Sequence, residues 1–131
     1  MSLIAPDTWI VVANGRSVRV LRNVGTETAL KLHQEPTPEL DPTASGPSGS
    51  QPKEDDRLES AFVKLLAGWI NRQALAHRFE ALVLVADATS LGEIRPQLHK
   101  EVTTRLKAEI AKDWTNMPLD AIEQALDARR I

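Results

Sequence analysis

The side chains that most often carry metal or nucleophilic chemistry are few in this sequence. The chain of 131 residues has no cysteine, which excludes a disulfide framework, a thiolate zinc site and a cysteine nucleophile. Its three histidines, His33, His77 and His99, show no metal-ligand spacing. We expect His33 on an exposed strand face, His77 at a helix end where the dipole favours a cation, and His99 in a short helix.

One carboxylate, Asp87, stands where a metal-dependent nuclease could use it, directly after an apolar strand. Such nucleases need several clustered carboxylates to hold two metal ions, and the first strand, Trp9 to Ala13, contains no acid. We therefore interpret Asp87 as a loop or helix-capping acid. The segment Gly46–Gly49 also lacks the Lys-Ser/Thr pair of a nucleotide-binding loop, so we predict neither a metal nor a cofactor.

A proline-rich loop from Glu35 to Pro52 is the candidate binding element. Proline removes backbone donors and disfavours helix, and an eighteen-residue structureless loop is uncommon inside a compact domain. Such a loop is either a tolerated insertion or functional, and we expect it to be mobile at about 35–55. The residues predicted to form a partner-binding loop are Gly46, Gly49, Ser50, Gln51 and Lys53.

The overall charge gives no field that would attract nucleic acid. Sixteen basic residues against eighteen acidic ones leave a net charge of −2, so binding to nucleic acid would need a local patch. The basic residues Lys100, Arg105, Lys107 and Lys112 are interleaved with Glu101 and Glu109. This pattern favours a solvated face of mixed charge.

The termini and apolar runs predict a soluble, cytoplasmic protein. The amino-terminal residues lack the charged and apolar regions of a signal peptide. The longest apolar runs are far shorter than a membrane span.

The first third of the chain predicts an antiparallel meander. Thr8 to Ala13 is a β-branched apolar run typical of a strand buried on both faces. Asn14-Gly15 is a hairpin signal, because both residue types tolerate a positive φ. Strands are expected at Ser17–Arg22 and, after a second turn, at Ala29–Gln34.

The middle of the chain predicts a crossover unit. Three acids, Glu54 to Asp56, begin a helix that runs to about His77. Its apolar face recurs at helical spacing: Leu58, Ala61, Phe62, Leu65, Leu66, Trp69 and Ile70. The apolar strand Glu80–Ala86 follows, and this order implies parallel pairing with Thr8–Ala13. The tryptophans, Trp9, Trp69 and Trp114, are expected in the core.

The last third is less regular. Thr89 or Ser90 can cap a short turn, and a helix is expected from about Pro96 to Leu106. Lys107 to Trp114 fits either a strand or a continued helix, and Pro118 begins a final helix with Thr115 or Asn116 as its cap. The whole order predicts a single α/β domain over residues 1–131, with a mixed sheet and helices on both faces.

Several short segments of the sequence, which we call sequence words, resemble the bacterial host-attachment protein family. The domain of that family is similar to the middle domain of eukaryotic and archaeal peptide-chain release factors and of Pelota. One sequence word lies in the first two strands, a second at Leu82–Ala86 and a third at Leu91–Arg95. The most specific word is Glu109–Pro118, EIAKDWTNMP, which is similar to the closing signature of the family. The resemblance extends from about Thr8 to Leu126.

The resemblance implies a fold and a range of functions. The fold is a ribonuclease-H-like sheet of five strands, with Lys107 to Asp113 as the last strand. The implied partner is the ribosome or tRNA, contacted through the loop, and the family name implies a role in attachment to host cells. In release factors this loop carries a Gly-Gly-Gln tripeptide that helps place water at the peptidyl-tRNA ester. The matching loop here has Gly49-Ser50-Gln51, which departs from it at the middle position. Gln51 is thus the one weak catalytic candidate, and a non-enzymatic binding protein is the favoured interpretation.

Overall fold

The fold is built on one mixed sheet of five strands, seen in a computed structural model that describes residues 4–43 and 54–129. The strands are β1 Trp9–Ala13, β2 Val18–Asn23, β3 Leu32–Gln34, β4 Leu82–Ala86 and β5 Leu106–Ala111. They lie in the order β3-β2-β1-β4-β5. The first three strands form the antiparallel meander, while β4 runs parallel to both β1 and β5. The predicted mixed five-stranded sheet is confirmed, as is the parallel pairing of β4 with β1.

Helices cover both faces of this sheet, as predicted. They are α1 Glu54–Leu75, α2 Ala88–Ile94, α3 Lys100–Thr103 and α4 Leu119–Asp127, with a 3-10 turn at Arg95–Gln97. The side chains of β1 alternate between two buried cores because successive residues of a strand point to opposite faces. Val11 and Ala13 pack with α1, α2 and α3, and Ile10 and Val12 pack with α4.

The buried face of α1 is shifted from the predicted one. Phe62, Leu66 and Ile70 are buried as expected, but Leu58, Ala61, Leu65 and Trp69 are only half-buried. The remaining buried positions are small or β-branched residues that the sequence pattern did not single out, Val63, Ala67 and Ala74. Small side chains let α1 approach the sheet closely, so a stripe drawn through the largest apolar residues misses them.

The tryptophans lie at or beside the core. Trp114 is buried in the core on the α4 side. Trp9 and Trp69 are half-buried and stack with their ring centroids 6.0 Å apart. This arrangement agrees with the prediction that tryptophan serves packing here.

The hairpin at Asn14-Gly15 forms, but no positive φ is involved at either residue. The Asn14 side-chain oxygen accepts hydrogen bonds from the backbone of Arg16 and Ser17, both at 2.8 Å. The side chain therefore holds the turn, which explains why the left-handed conformation is not needed. A Cβ at position 15 would lie 3.1 Å from the Glu59 side chain, so a larger residue there would require that side chain to shift.

Strand β3 is shorter than the predicted Ala29–Gln34. The Asn23 side chain is fully buried, and its oxygen accepts from the backbone of Gly25 and Lys31. These two hydrogen bonds fix the residues between Asn23 and Leu32 as a loop. Pairing with β2 begins only at Leu32.

The helix predicted from Pro96 to Leu106 is wrong. Pro96 lies in the 3-10 turn, Leu98 is extended, and a separate short helix, α3, begins after His99. Asn71 of α1 interrupts the helix, since its side chain accepts from His99 N and donates to Gln97 O. His99 then caps α3 by accepting from Glu101 N, so it lies before the short helix and not within it.

Three helix ends also differ from expectation. Asp87, not Thr89 or Ser90, is the N-cap of α2, which confirms the capping interpretation of this acid. The N-cap of α4 is Pro118, without a side-chain hydrogen bond, so neither Thr115 nor Asn116 has the predicted role. Helix α1 ends at Leu75, and His77 adopts a φ of 57° just beyond it.

The two ends of the parallel strands define two edges of the molecule. We call the carboxyl ends of β1, β4 and β5 the loop edge, because the candidate loop enters α1 there. We call the opposite side, where α1 ends and β4 and β5 begin, the amino edge. No helix among the described residues is long and apolar enough to cross a membrane.

Candidate functional site

The described ends of the candidate loop meet at the loop edge. Leu40 and Pro42 lie in the described first part of the loop, and Leu58 and Glu59 follow the loop in α1. All four line one cleft of about 240 Å³, together with the β1–β2 turn at Gly15. The loop therefore leaves and rejoins the described structure beside the same turn.

The predicted loop residues themselves lie outside the described structure. These are Gly46, Gly49, Ser50, Gln51 and Lys53, together with the central part of the loop that was expected to be mobile. Their predicted binding role stays a prediction.

A larger cleft, of about 510 Å³, adjoins the loop edge between α1 and the start of α2. Its described lining has three carboxylates and three hydroxyl groups and contains no lysine or arginine: Gly15, Glu59, Ser60, Val63, Asp87, Thr89, Ser90 and Glu93. Its charge disfavours a phosphate group, since like charges repel at short range. Arg16 lies 3.6 Å from Glu59 and is 72% exposed. Such an exposed pair contributes little stability.

Asp87 lines this cleft and is the N-cap of α2. One oxygen of its carboxylate accepts a hydrogen bond of 3.1 Å from Ser90 N at the start of α2. The other oxygen, Oδ1, is buried and has no partner among the described residues. A buried acceptor without a partner loses its hydration without replacement, which makes this position energetically costly.

A hydrogen-bonded network fixes the other flank of the loop edge, where β5 turns towards α4. Asp113 accepts from the backbone N and the hydroxyl of Thr115, at 3.0 and 2.6 Å. Asn14 of the hairpin donates to Asp113 and to the Thr115 hydroxyl, at 3.3 and 3.2 Å. Arg19 of β2 donates to the backbone oxygens of Thr115 and Met117. The hairpin is thus tied to the β5–α4 connection.

This network perturbs the acidity of Asp113. Hydrogen bonds from the Thr115 hydroxyl and backbone lower the pKa of Asp113 below its ordinary value, against a smaller opposing effect of burial. The ionised carboxylate is favoured because every partner donates to it.

Comparison with known protein families identifies the chain. A family model matches residues 7–126. The chain belongs to bacterial archaeo-eukaryotic release factor family 12. The resemblance to release factors is thereby confirmed, whereas the host-attachment name stays a prediction. A search of curated proteins found no match.

The sequence words that carried the resemblance have structural roles in this family 12 domain. Asp113 and Thr115, in the closing signature, form the network described above. Arg95, at the end of the Leu91–Arg95 word, forms an ion pair with Glu109, at the start of the closing signature. The two words are therefore in contact, joining the end of α2 to the outer strand β5.

The described part of the family 12 domain contains no group of three or more His, Asp or Glu side chains that could hold a metal ion. Each histidine has a local contact instead: His33 lies 3.2 Å from Glu35, and His77 lies 3.3 Å from Arg105. His99 caps α3 through its ring nitrogen. These contacts agree with structural roles.

The basic residues singled out in the sequence do not form one patch. Arg105 and Lys112 lie beyond opposite ends of β5, and Arg105 pairs with Glu101 at 2.8 Å. The mixed face predicted from the interleaved charges agrees with this pairing. The sequence placed Asn14 in the hairpin turn but did not predict the side-chain contacts of Asn14, Arg19 and Asn23, since an isolated polar residue in a strand or turn gives no periodic signal.

Proposed function

We propose that this family 12 domain is a non-enzymatic binding protein of the translation machinery, with the ribosome or tRNA as its partner. The observation that carries the proposal is the family match over nearly the whole chain. The proposed contact element is the loop Glu35–Pro52, supported by the meeting of its described ends at the loop edge. Surface loops held by a rigid scaffold are frequent binding elements.

The charge around the loop favours a contact that is not primarily electrostatic. Its first part contains Glu35, Glu39 and Asp41, Glu54 follows it, and carboxylates line the adjoining cleft. Lys53 and Arg16 are outnumbered by these acids, so tight binding to RNA phosphates through this edge would require more cations.

Replacement of the loop tests the contact element. Residues 44–52 are exchanged for a Gly/Ser chain of equal length, and binding to ribosomes is measured by sedimentation. We expect the replacement to reduce the bound fraction, while Lys64→Gln, an exposed change on α1, leaves it unchanged. Equal binding by the loop variant and the wild type would remove the loop from the contact.

A second candidate function is hydrolysis of peptidyl-tRNA or a related ester through Gln51. It is favoured by the family match and by the position of Gly49-Ser50-Gln51 in the loop between β3 and α1. The middle glycine of the release-factor tripeptide is replaced by serine here, which disfavours transfer of the activity. An assay of peptide release with Gln51→Ala beside the wild type decides, and equal or absent activity in both proteins removes this function.

A third candidate is a cytoplasmic factor that is needed indirectly for attachment to host cells. Only the sequence words shared with the host-attachment family support it. Cell fractionation followed by immunoblotting tests the location, and a signal at the cell surface would contradict the cytoplasmic placement.

A further inference from the structure

The large cleft at the loop edge collects negative charge from separate elements. Glu59 of α1, Asp87 before α2 and Glu93 in the last turn of α2 all line it. Asp87 and Glu93 are separated by about 9 Å along the helix axis, at 1.5 Å for each residue. These carboxylates do not converge on one point, since the described residues contain no group of three acids that could hold a metal ion. The negative charge is therefore spread along the cleft.

This charge is only partly compensated within the described chain. Arg16 pairs with Glu59, but the pair is exposed and screened by water. Neither Asp87 nor Glu93 forms an ion pair with another described residue. Asp87 also accepts from Ser90 N, so it occupies the backbone donor at the start of α2 that an anion would otherwise use. The cleft consequently favours a cationic group.

A second observation, independent of charge, is the state of the Ser90 hydroxyl. Ser90 lines the cleft and is only 4% exposed, yet its hydroxyl has no hydrogen bond to any described residue. By comparison, the hydroxyls of Thr103 and Thr104 donate to backbone oxygens of α3. Among the described residues, Asp87 Oδ1 is the one enclosed polar side-chain atom without a partner, so the Ser90 oxygen stays open to the cleft. Hydroxyls in buried residues are normally hydrogen-bonded, and this one is free to bind a ligand.

We propose that this cleft binds a flexible aliphatic chain with two or more ammonium groups, with Glu59, Asp87 and Glu93 as counter-charges and the Ser90 hydroxyl as an acceptor. An ammonium group is a compact charge with three donors, which a carboxylate and a neighbouring hydroxyl match. Carboxylates spaced along a cleft favour spaced ammonium groups over a single metal ion. A polyamine has this chemistry, and so do two lysine side chains of an extended protein segment. The site is additional to the proposed function and does not depend on the ribosome as partner.

Two charge-matched double variants test the assignment. Glu59→Gln/Glu93→Gln removes two carboxylates from the cleft, and Glu27→Gln/Glu80→Gln removes two exposed carboxylates at the amino edge. Binding of spermidine and of the blocked peptide Lys-Ser-Lys is measured by isothermal titration calorimetry at low and at moderate salt. Circular dichroism melts establish that the variants fold, and Glu93→Gln alone replaces the cleft variant if the double substitution does not.

We expect the wild type to bind at least one of the two ligands, and the cleft variant to bind it on the order of tenfold more weakly, because two opposite charges are lost. The amino-edge variant should bind like the wild type. Ser90→Ala should weaken binding roughly three- to tenfold, since one hydrogen bond to a charged group is removed. Its dependence on salt should stay that of the wild type, because serine carries no charge.

Three results would overturn the proposal. The first is a wild type that binds neither ligand. The second is equal weakening in the two double variants, which would reduce the effect to net charge. The third is complete displacement of the ligand by an equal charge concentration of Mg²⁺, which would show that the spacing of the ammonium groups is not recognised. Unchanged binding by Ser90→Ala would remove the hydroxyl from the site.

The two ligands separate the possible sources of the ammonium groups. Binding of spermidine alone assigns the cleft to a free polyamine, and binding of the peptide alone assigns it to a lysine-bearing partner. Sedimentation with ribosomes is scored on the same proteins. A wild type that binds a ligand through the cleft without sedimenting keeps the cleft and removes the ribosome, whereas sedimentation without ligand binding overturns the cleft and keeps the proposed function.

Discussion

At the scale of residues, the polar side chains of the loop edge serve mainly to hold backbone turns. Asn14 closes the hairpin and reaches Asp113 and Thr115, so one amide links two turns that are far apart in sequence. The Asp87 side chain likewise accepts a backbone hydrogen bond, as the N-cap of α2. The role of Asp87 was predictable because capping acids occur directly before a helix. The contacts of Asn14 were not, since they depend on long-range placement.

Replacement of Asp113 by alanine should destabilise the fold, because the Thr115 backbone and hydroxyl then lose their acceptor. We expect the free energy of unfolding to fall by about 1–2 kcal/mol at pH 7, measured by urea denaturation. Asp113→Asn keeps an acceptor oxygen and should cost less. An alanine variant as stable as the wild type would contradict this role.

The same residue predicts a pH dependence. The pKa of Asp113 is lowered in the folded state from its ordinary value of 3.8, so its ionised form stabilises the fold above that pH. The contribution is lost as the pH falls through the lowered pKa. The stability difference between wild type and Asp113→Asn should therefore shrink below pH 3.8, and a difference that grows there would refute the assignment.

The capping role of Asp87 predicts a modest effect of substitution. Asp87→Ala should lower the free energy of unfolding by about 1 kcal/mol, because Ser90 N loses its acceptor. Removal of the unpartnered oxygen offsets part of this loss. Asp87→Ser, which retains a capping oxygen, should lie closer to the wild type in thermal unfolding, and the reverse order would speak against the cap.

At the scale of elements, the sequence predicted those parts whose burial leaves a periodic pattern. β1 and β4 are apolar on both faces, and their parallel pairing follows from the helix between them. The helix predicted over Pro96–Leu106 fails because Asn71, on another element, binds the backbone at Gln97 and His99. A local pattern carries no information on such a contact.

The end of α1 gives an element-scale prediction. His77 has a φ of 57°, and Arg78 N donates to Gln73 O at 2.9 Å, as in helix ends closed by a left-handed residue. His77→Gly should be about 1 kcal/mol more stable than His77→Ala, since both lose the contact with Arg105 and only alanine retains a Cβ in this conformation. Chemical denaturation of the pair checks this, and an alanine variant of equal stability would contradict it.

The attachment of β3 to α4 gives a second prediction at the scale of elements. Leu32 N donates to the Glu123 carboxylate at 2.7 Å, so α4 holds the first residue of the edge strand. In Glu123→Ala the Leu32 amide should exchange roughly fivefold faster by hydrogen exchange, with Val11 in the central strand as an unaffected reference. Glu123→Gln retains an acceptor and should lie between. Unchanged exchange at Leu32 would show that the carboxylate does not protect it.

At the scale of the whole molecule, the architecture separates two surfaces. The candidate loop returns to an edge with an acidic cleft, whereas the cleft at the opposite edge is lined by Arg22 and Arg78 together with Asp7 and Glu80. From the net charge of −2 we predicted that binding to nucleic acid would need a local patch, because composition averages over both edges. Only the fold brings Arg22 and Arg78 to one cleft. The family match relates this chain to the release factors.

The most direct test of the proposed function is sedimentation of the purified wild-type chain with ribosomes through a sucrose cushion, at low and at moderate salt. The account predicts that the protein appears in the ribosomal pellet at low salt, and that the bound fraction declines but persists at moderate salt. Absence from the pellet under both conditions would contradict the central claim that this family 12 domain binds the translation machinery.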